Sequence, residues 1–225
     1  MPELRHDPLQ RRWVIISTER GKRPTDFKIQ RDEHDEDSCP FCPGRESLTP
    51  PEIFAIREPG TTKDTPGWKV RVVPNKFPAL RIEGDIDRAG IGVYDRMNGI
   101  GAHEVIIEIP EHNVHMAEMQ EDHLFKIFRT YRERLMDLLK DDRFKYIIIF
   151  KNHGSIAGAS LSHSHTQLIA TPVTPRTVAV ELQIARSHHY VKERCIICDI
   201  LAQERDSGDR IISTENNFIS LAPYA

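Results

Sequence analysis

The chain has 225 residues, 29% of them charged and 39% hydrophobic, with a formal net charge of −3. That length suits one large or two small domains, and the slightly acidic balance excludes the general basic field of a non-specific nucleic-acid binder. No apolar run reaches the roughly 20 residues of a membrane-spanning helix, and "MPELRHDPLQRRW" lacks the apolar core of a signal peptide, so a cytoplasmic protein with no membrane partner is expected.

In chain order, "RRWVIIST" (11–18) is β-rich and predicts a strand, followed by the basic loop "ERGKRPTDF" (19–27) and the charged loop "QRDEHDED" (30–37). "WKVRVVP" (68–74) alternates as a strand does and stops at Pro74; "GAHEVIIEIP" (101–110) reads the same way and closes at Pro110. Residues 116–140 place Leu124, Ile127, Phe128, Tyr131, Leu135 and Leu138 at helical spacing, a pattern that suits a core-facing stripe. "YIIIF" (146–150) predicts a buried strand, "SHTQLIA" (164–170) another, residues 176–194 a helix, and "RIISTENNFISLAPYA" (210–225) a β-hairpin. Strands gathered at both ends of long helices point to an α+β fold with a mostly antiparallel sheet.

The four cysteines form two C-x-x-C pairs, Cys39/Cys42 in "CPFC" and Cys195/Cys198 in "CIIC". In a cytoplasmic protein such pairs suggest metal knuckles before redox dithiols or a disulfide framework. Each pair also precedes a strand-rich segment, which suggests an internal repeat. On that reading residues 1–190 form a first domain and 191–225 begin a second, truncated copy, and a longer natural chain is expected.

The chemistry concentrates in "NHGSIAGASLSHSHTQLIATP" (152–172). In a strand, residues two apart share a face, so His163, His165 and Gln167 fall on one side and Ser162, Ser164 and Thr166 on the other. An imidazole can act as nucleophile, general base or metal ligand, and the small residues before it let backbone N–H groups approach phosphate oxygens. A solvated strand face is the plainer reading of H-x-H alone; the glycine-rich lead and the following glutamine argue against it.

"HSHTQ" after "NHGSIAGAS" resembles the H-x-H-x-Q active-site motif of the galactose-1-phosphate uridylyltransferases, the transferase branch of the histidine-triad superfamily. "RGKRP" (20–24), "CPFC", "PNKFPAL" (74–80) and "PEH" (110–112) follow in the family's order. The resemblance spans the whole chain, about the first two thirds of a family member. It implies a histidine-triad-like antiparallel sheet with flanking helices, the first repeat complete and the second only begun.

It further implies that His165 is the nucleophile, attacking the α-phosphorus of a nucleoside-diphosphate sugar to give a covalent nucleotidyl-histidine and release a sugar 1-phosphate. A second sugar phosphate then takes the nucleotide, a ping-pong course. Gln167 would hold a phosphate oxygen in place of the third histidine of the hydrolase branch. Asn152, Gly158 and Ser160 match the phosphate loop, Asn75 a nucleoside contact, and Arg20 and Arg23 the arginines that reach the nucleotide phosphates. Lys76 stands where the family often has an acid, and taken alone "RGKR" reads equally as a solvated loop.

By the same resemblance Cys39, Cys42, His112 and His163 are zinc ligands, with His115 a competitor for the third place, and the zinc supports the strand rather than catalysing. An unmetallated cysteine pair remains the alternative. For Cys195 and Cys198, a possible second zinc pair, the family's later histidines would fall near Asn217 and beyond residue 225. Glu181 lines up with a metal-binding glutamate of some members but suits an ordinary helix, as do His188 and His189. A homodimer is implied by the family.

Three functions stay in view. The first is a UDP-glucose:hexose-1-phosphate uridylyltransferase of galactose metabolism. The second is an ADP-glucose phosphorylase-like adenylyltransferase using phosphate. The third is a non-enzymatic zinc-binding module, against which stand the 7% aromatic content and the acidic balance.

Overall fold

The computed structural model describes residues 3–16 and 38–225, Ser160 excepted. The predicted roles of Arg20, Arg23 and Ser160 therefore lie outside the described residues, as do the loops at 19–27 and 30–37. The chain divides into two compact units, one of residues 29–173 and one of 1–28 with 174–225.

The larger unit is built on a five-stranded sheet. Its strands are β3 (Phe54–Arg57), β4 (Trp68–Pro74), β7 (Ala102–Ile107), β8 (Tyr146–Phe150) and β9 (His165–Thr171). They lie in the order β3-β4-β7-β9-β8, every pairing antiparallel. β7 and β9 register Ala102 against Ala170 and Ile107 against His165. Close entry to that ladder needs Gly101, where a Cβ would stand 2.3 Å from the Ala170 carbonyl oxygen. A small hairpin, β5 (Ala89–Ile91) with β6 (Tyr94–Arg96), lies in the β4–β7 connection.

Helix α1 (Glu121–Leu138) follows β7 after a 3-10 turn at Met116–Glu118. It covers the sheet face that carries Val70, Val72, Ile106, Leu168 and Ala170, and contributes Ile127 and Leu138 to the same core. Each fully buried aliphatic there stabilises by about 1.5–3 kcal/mol relative to exposure. Charge enters this face as a pair: Arg134 of α1 donates to both carboxylate oxygens of Glu104 of β7, at 2.8 and 2.7 Å. The opposite face packs Trp68, Val73, Val105 and Ile107 with Phe41.

The smaller unit holds the antiparallel pair β1 (Glu3–His6) and β2 (Trp13–Ile16), helices α2 (Arg176–Lys192) and α3 (Ile196–Ser207), and the hairpin β10 (Ile211–Glu215) with β11 (Phe218–Leu221). The α+β class, the antiparallel sheet and the strands and helices expected at 68–74, 101–110, 116–140, 146–150, 164–170, 176–194 and 210–225 are present. Two expectations are corrected. β8 is not the buried strand expected of "YIIIF": it is an edge strand of the sheet, half-buried along its length, with Ile148 39% exposed. "CIIC" opens a helix instead of preceding strands directly: Cys195 caps α3, its Sγ accepting from Cys198 N at 3.3 Å. The N–H groups left open at a helix start make that a natural use of a sulfur acceptor. None of the helices among the described residues is long and apolar enough to cross a membrane.

Candidate active site

β7 and β9 lie side by side in the sheet, and β7 alternates a helix-facing set (Glu104, Ile106) with a set on the other face (His103, Val105, Ile107). The register places Gln167 opposite Val105 and His165 opposite Ile107 on that second face. The ladder continues past the strand end, Glu108 N donating to Ser164 O at 3.1 Å. The expected alternation holds from His163 to Gln167. Ser162 departs from it, because the strand has not yet begun and its hydroxyl meets His112 Nε2 at 3.0 Å.

Before β9, His163 is fully buried. Its Nε2 donates to the Ile109 carbonyl at 2.7 Å, which leaves Nδ1 unprotonated and facing Cys39 Sγ at 3.7 Å and Cys42 Sγ at 3.6 Å. His112 Nδ1 lies 3.2 Å from Cys42 Sγ. All four ligand atoms fall within 4.8 Å of one another, and all four residues are buried. A tetrahedral ion with metal–sulfur bonds near 2.3 Å and metal–nitrogen bonds near 2.0–2.1 Å asks for sulfur–nitrogen edges of about 3.6 Å, so the donors fit one. Burial pushes the His163 pKa down to about 4, the neutral form that ligation needs. Both imidazoles also have a partner on the far nitrogen, the arrangement that orients metal-binding histidines.

His165 is buried at the mouth of the strand. Its Nδ1 donates to the His163 carbonyl at 2.8 Å, so Nε2 carries the lone pair. Burial pushes its pKa below the usual histidine value, and the Phe41 ring stands edge-on at 5.4 Å. Behind the strand, Glu108 is fully buried and receives Lys151, Ser164, Thr166 and Tyr131. Burial raises the carboxyl's pKa, but the hydrogen bonds from Lys151, Ser164 and Thr166 outweigh it and hold it below the usual value. The Tyr131 hydroxyl is pushed up by burial and by that charge.

After β8 the chain enters the loop 152–164. Gly154 O accepts from Ala157 N and Ala159 N, each at 3.1 Å. Gly158 takes φ +85°, open to a residue without Cβ, and its missing Cβ would stand 3.9 Å from Asn152 Nδ2. Asn152 and Gly158 are thus brought together. Asn75, just after β4, lies against His103, whose Nε2 is also 2.8 Å from Gln167 Oε1.

Residues 1–175 match the family model described as "Galactose-1-phosphate uridyl transferase, N-terminal domain". The chain belongs to that family. It is 37% identical over 229 residues to ADP-glucose phosphorylase of Arabidopsis thaliana, covering 100% of this chain and 62% of the relative. It is 30% identical over 231 residues to galactose-1-phosphate uridylyltransferase of Thermotoga maritima, covering 100% and 63%. The crystal structure of an Arabidopsis thaliana ADP-glucose phosphorylase with bound ADP-glucose superposes with a TM-score of 0.77 at 35% identity, over 100% of this chain and 65% of that one. The chain thus spans less than two thirds of these relatives' lengths.

Within the family-matched segment the structure gathers Cys39, Cys42, His112 and His163, and it places His165 and Gln167 on one sheet face. His115 turns elsewhere: its ring meets that of His153 edge-on at 5.0 Å between centroids, and its backbone N–H donates to Glu118 Oε2 at 2.9 Å. Among the described residues no second group of three or more metal-ligating side chains forms; Cys195 and Cys198 are exposed on the helix start. Glu181 accepts from Gln10 at 2.8 Å, and His188 pairs with Asp199 at 3.1 Å. Sequence reasoning missed Glu108, Lys151, Tyr131 and His103. The signal available was charge placed inside apolar strands: Glu104 and Glu108 interrupt "EVIIEIP", and Lys151 ends "YIIIFK".

Proposed function

We propose that the chain transfers a nucleotidyl group between a nucleoside-diphosphate sugar and a phosphate acceptor through a covalent intermediate on His165. The observation that carries this is the His165 Nδ1 donation to the His163 carbonyl, which leaves the Nε2 lone pair unprotonated for attack. Nε2 attacks the α-phosphorus, an N–P bond forms, the P–O bond to the β-phosphate breaks, and the sugar 1-phosphate leaves with that electron pair. An acceptor phosphate oxygen then attacks the phosphorus and the N–P bond breaks, returning the pair to Nε2. Gln167, Asn75 and the loop containing Asn152 and Gly158 supply donors for phosphoryl oxygens, where charge grows in the transition state. Arg20, Arg23 and Ser160 join them on the family pattern.

Cys39, Cys42, His112 and His163 hold a zinc ion whose contribution is structural: it fixes the residue two positions before the nucleophile. Cys195 and Cys198 are at most half of a second such site. The protein works in the cytoplasm as a homodimer. Residues 1–190 serve as the nucleotidyl-transfer domain, and 191–225 open a second repeat.

Two donors compete. UDP-glucose with a hexose 1-phosphate acceptor is the family's named reaction. ADP-glucose with inorganic phosphate is favoured by the greater identity to the plant phosphorylase, 37% against 30%. Intact-mass spectrometry after incubation with each nucleotide sugar, beside His165→Ala, decides between them. A uridylyl adduct absent from the variant selects uridine, and an adenylyl adduct selects adenosine. No adduct from either donor overturns the covalent mechanism and strengthens the zinc-binding module reading.

A further inference from the structure

The hydrogen bonds around His103 admit one arrangement of protons. Ala79 N donates to Nδ1 at 3.1 Å, and a backbone N–H cannot become an acceptor. Nδ1 is therefore bare, and in the neutral ring Nε2 carries the proton. That proton faces Gln167 Oε1 at 2.8 Å. The carboxamide of Gln167 must then point its oxygen at His103 and its two N–H donors away from it. Asn75 is constrained in the same way. Its Oδ1 accepts from Phe77 N at 2.9 Å, so its Nδ2 lies at 3.1 Å from a ring nitrogen that already bears a proton and must give its protons elsewhere.

His103 is itself held in place. It stands in β7 paired with Ile169 of β9, on the face shared with Gln167, and its carbonyl accepts from Asn75 N at 2.8 Å. We propose that His103 is a positioning residue: through its Nε2–H it fixes the amide orientation of Gln167, so that Gln167 presents its N–H donors to phosphate oxygens of the nucleotide beside those of Asn75, whose amide is oriented by Phe77 N. A glutamine rotated the other way would offer its lone pairs to an anion and oppose binding. Nothing in the sequence marks this role, since "GAHEVIIE" reads as an ordinary strand.

The proposal rests on the nucleotidyl-transfer reading for its kinetic consequence but not for its proton arrangement, and the two are tested apart. First, nitrogen NMR of the histidine-labelled protein without substrate reports the tautomer. His103 Nδ1 is expected at the shift of a bare imidazole nitrogen and Nε2 at that of a protonated one. The reverse tautomer, or a doubly protonated ring at neutral pH, overturns the proposal even if His165 is nucleotidylated.

Second, the rate of adduct formation on His165 is measured by mass spectrometry with the nucleotide sugar that modifies the wild type. His103→Leu is expected to slow it about 10- to 100-fold, and His103→Gln, which keeps a donor at the Nε2 position, to recover most of that rate. In a Gln167→Leu background the His103→Leu penalty should vanish, because the two residues act through one bond. A penalty that persists there, or an unchanged rate in the single variant, overturns the positioning role. Failure of the wild type to form any adduct sinks the nucleotidyl-transfer reading and this role together, while the tautomer stands on its own measurement.

Discussion

Lys151 Nζ donates to the backbone carbonyl of His165 at 3.1 Å while also holding the buried Glu108 carboxylate. One ammonium thus ties the strand end that carries His165 to the charge behind it, with Ser164 Oγ at 2.9 Å as a third partner. The arrangement is a bolt: Lys151 follows β8, Glu108 follows β7, and β9 is clamped between the two strands.

Removing the ammonium leaves Glu108, with no side-chain exposure, uncompensated. Breaking one partner of a buried pair costs about 3–5 kcal/mol, so Lys151→Met should lower unfolding stability in urea by about 3 kcal/mol. Lys151→Arg should recover part of it. An unchanged urea midpoint in Lys151→Met would show that water reaches Glu108.

The same carboxylate gives a pH dependence with a definite sign. Glu108 has a folded pKa below its ordinary value of 4.5, so the unfolded state binds its proton first as pH falls. Its stabilisation is fully present above the unfolded pKa and is lost as pH drops through the folded one. Urea midpoints between pH 6 and pH 3 should fall less steeply in Glu108→Gln than in the wild type. Equal slopes would remove Glu108 from the acid response.

Metal content tests the four-residue cluster without reference to activity. Zinc supplied during expression should be retained at about one per chain. Cys42→Ser should lose most of it, because its Sγ is near both His112 and His163. Ser162→Ala, which removes only the outer partner of His112, should weaken affinity about 10- to 100-fold. Full retention in Cys42→Ser would refute the assignment.

The sheet was legible because its strands obey local rules: period-two apolar residues in "WKVRVVP" and "GAHEVIIEIP", each ended by proline. The cluster Cys39, Cys42, His112 and His163 was legible only through the family pattern, since its members come from three separate loops and no local rule joins 39 to 163. β3, at Phe54–Arg57, was missed: four half-buried residues with an arginine give too short a pattern. α3 was missed because "CIIC" reads as a knuckle, whereas in the structure a cysteine takes the capping place usual for serine or asparagine. Lys151 and Glu108 were missed for a different reason. Which face a charged strand residue takes depends on a partner 43 positions away, and a linear pattern does not contain that partner.

Glu104 and Arg134 make the last test, on the helix side of β7. The guanidinium meets both carboxylate oxygens, and both side chains are nearly fully buried; Asp137 adds a half-exposed third charge at 2.9 Å. Burial opposes the charge on Arg134, but the hydrogen bonds to Glu104 more than offset it and raise its pKa. Such bidentate pairs give geometric specificity as well as energy, here fixing the helix against the strand that bears His103. Arg134→Ala should cost about 3–5 kcal/mol, and Arg134→Lys, which cannot match both oxygens, should recover less than half of that. The double variant Glu104→Leu with Arg134→Met, which leaves no orphaned charge, should be more stable than either single variant. If the double variant is instead the least stable in urea, the pair stabilises on balance rather than specifying how α1 seats on the sheet.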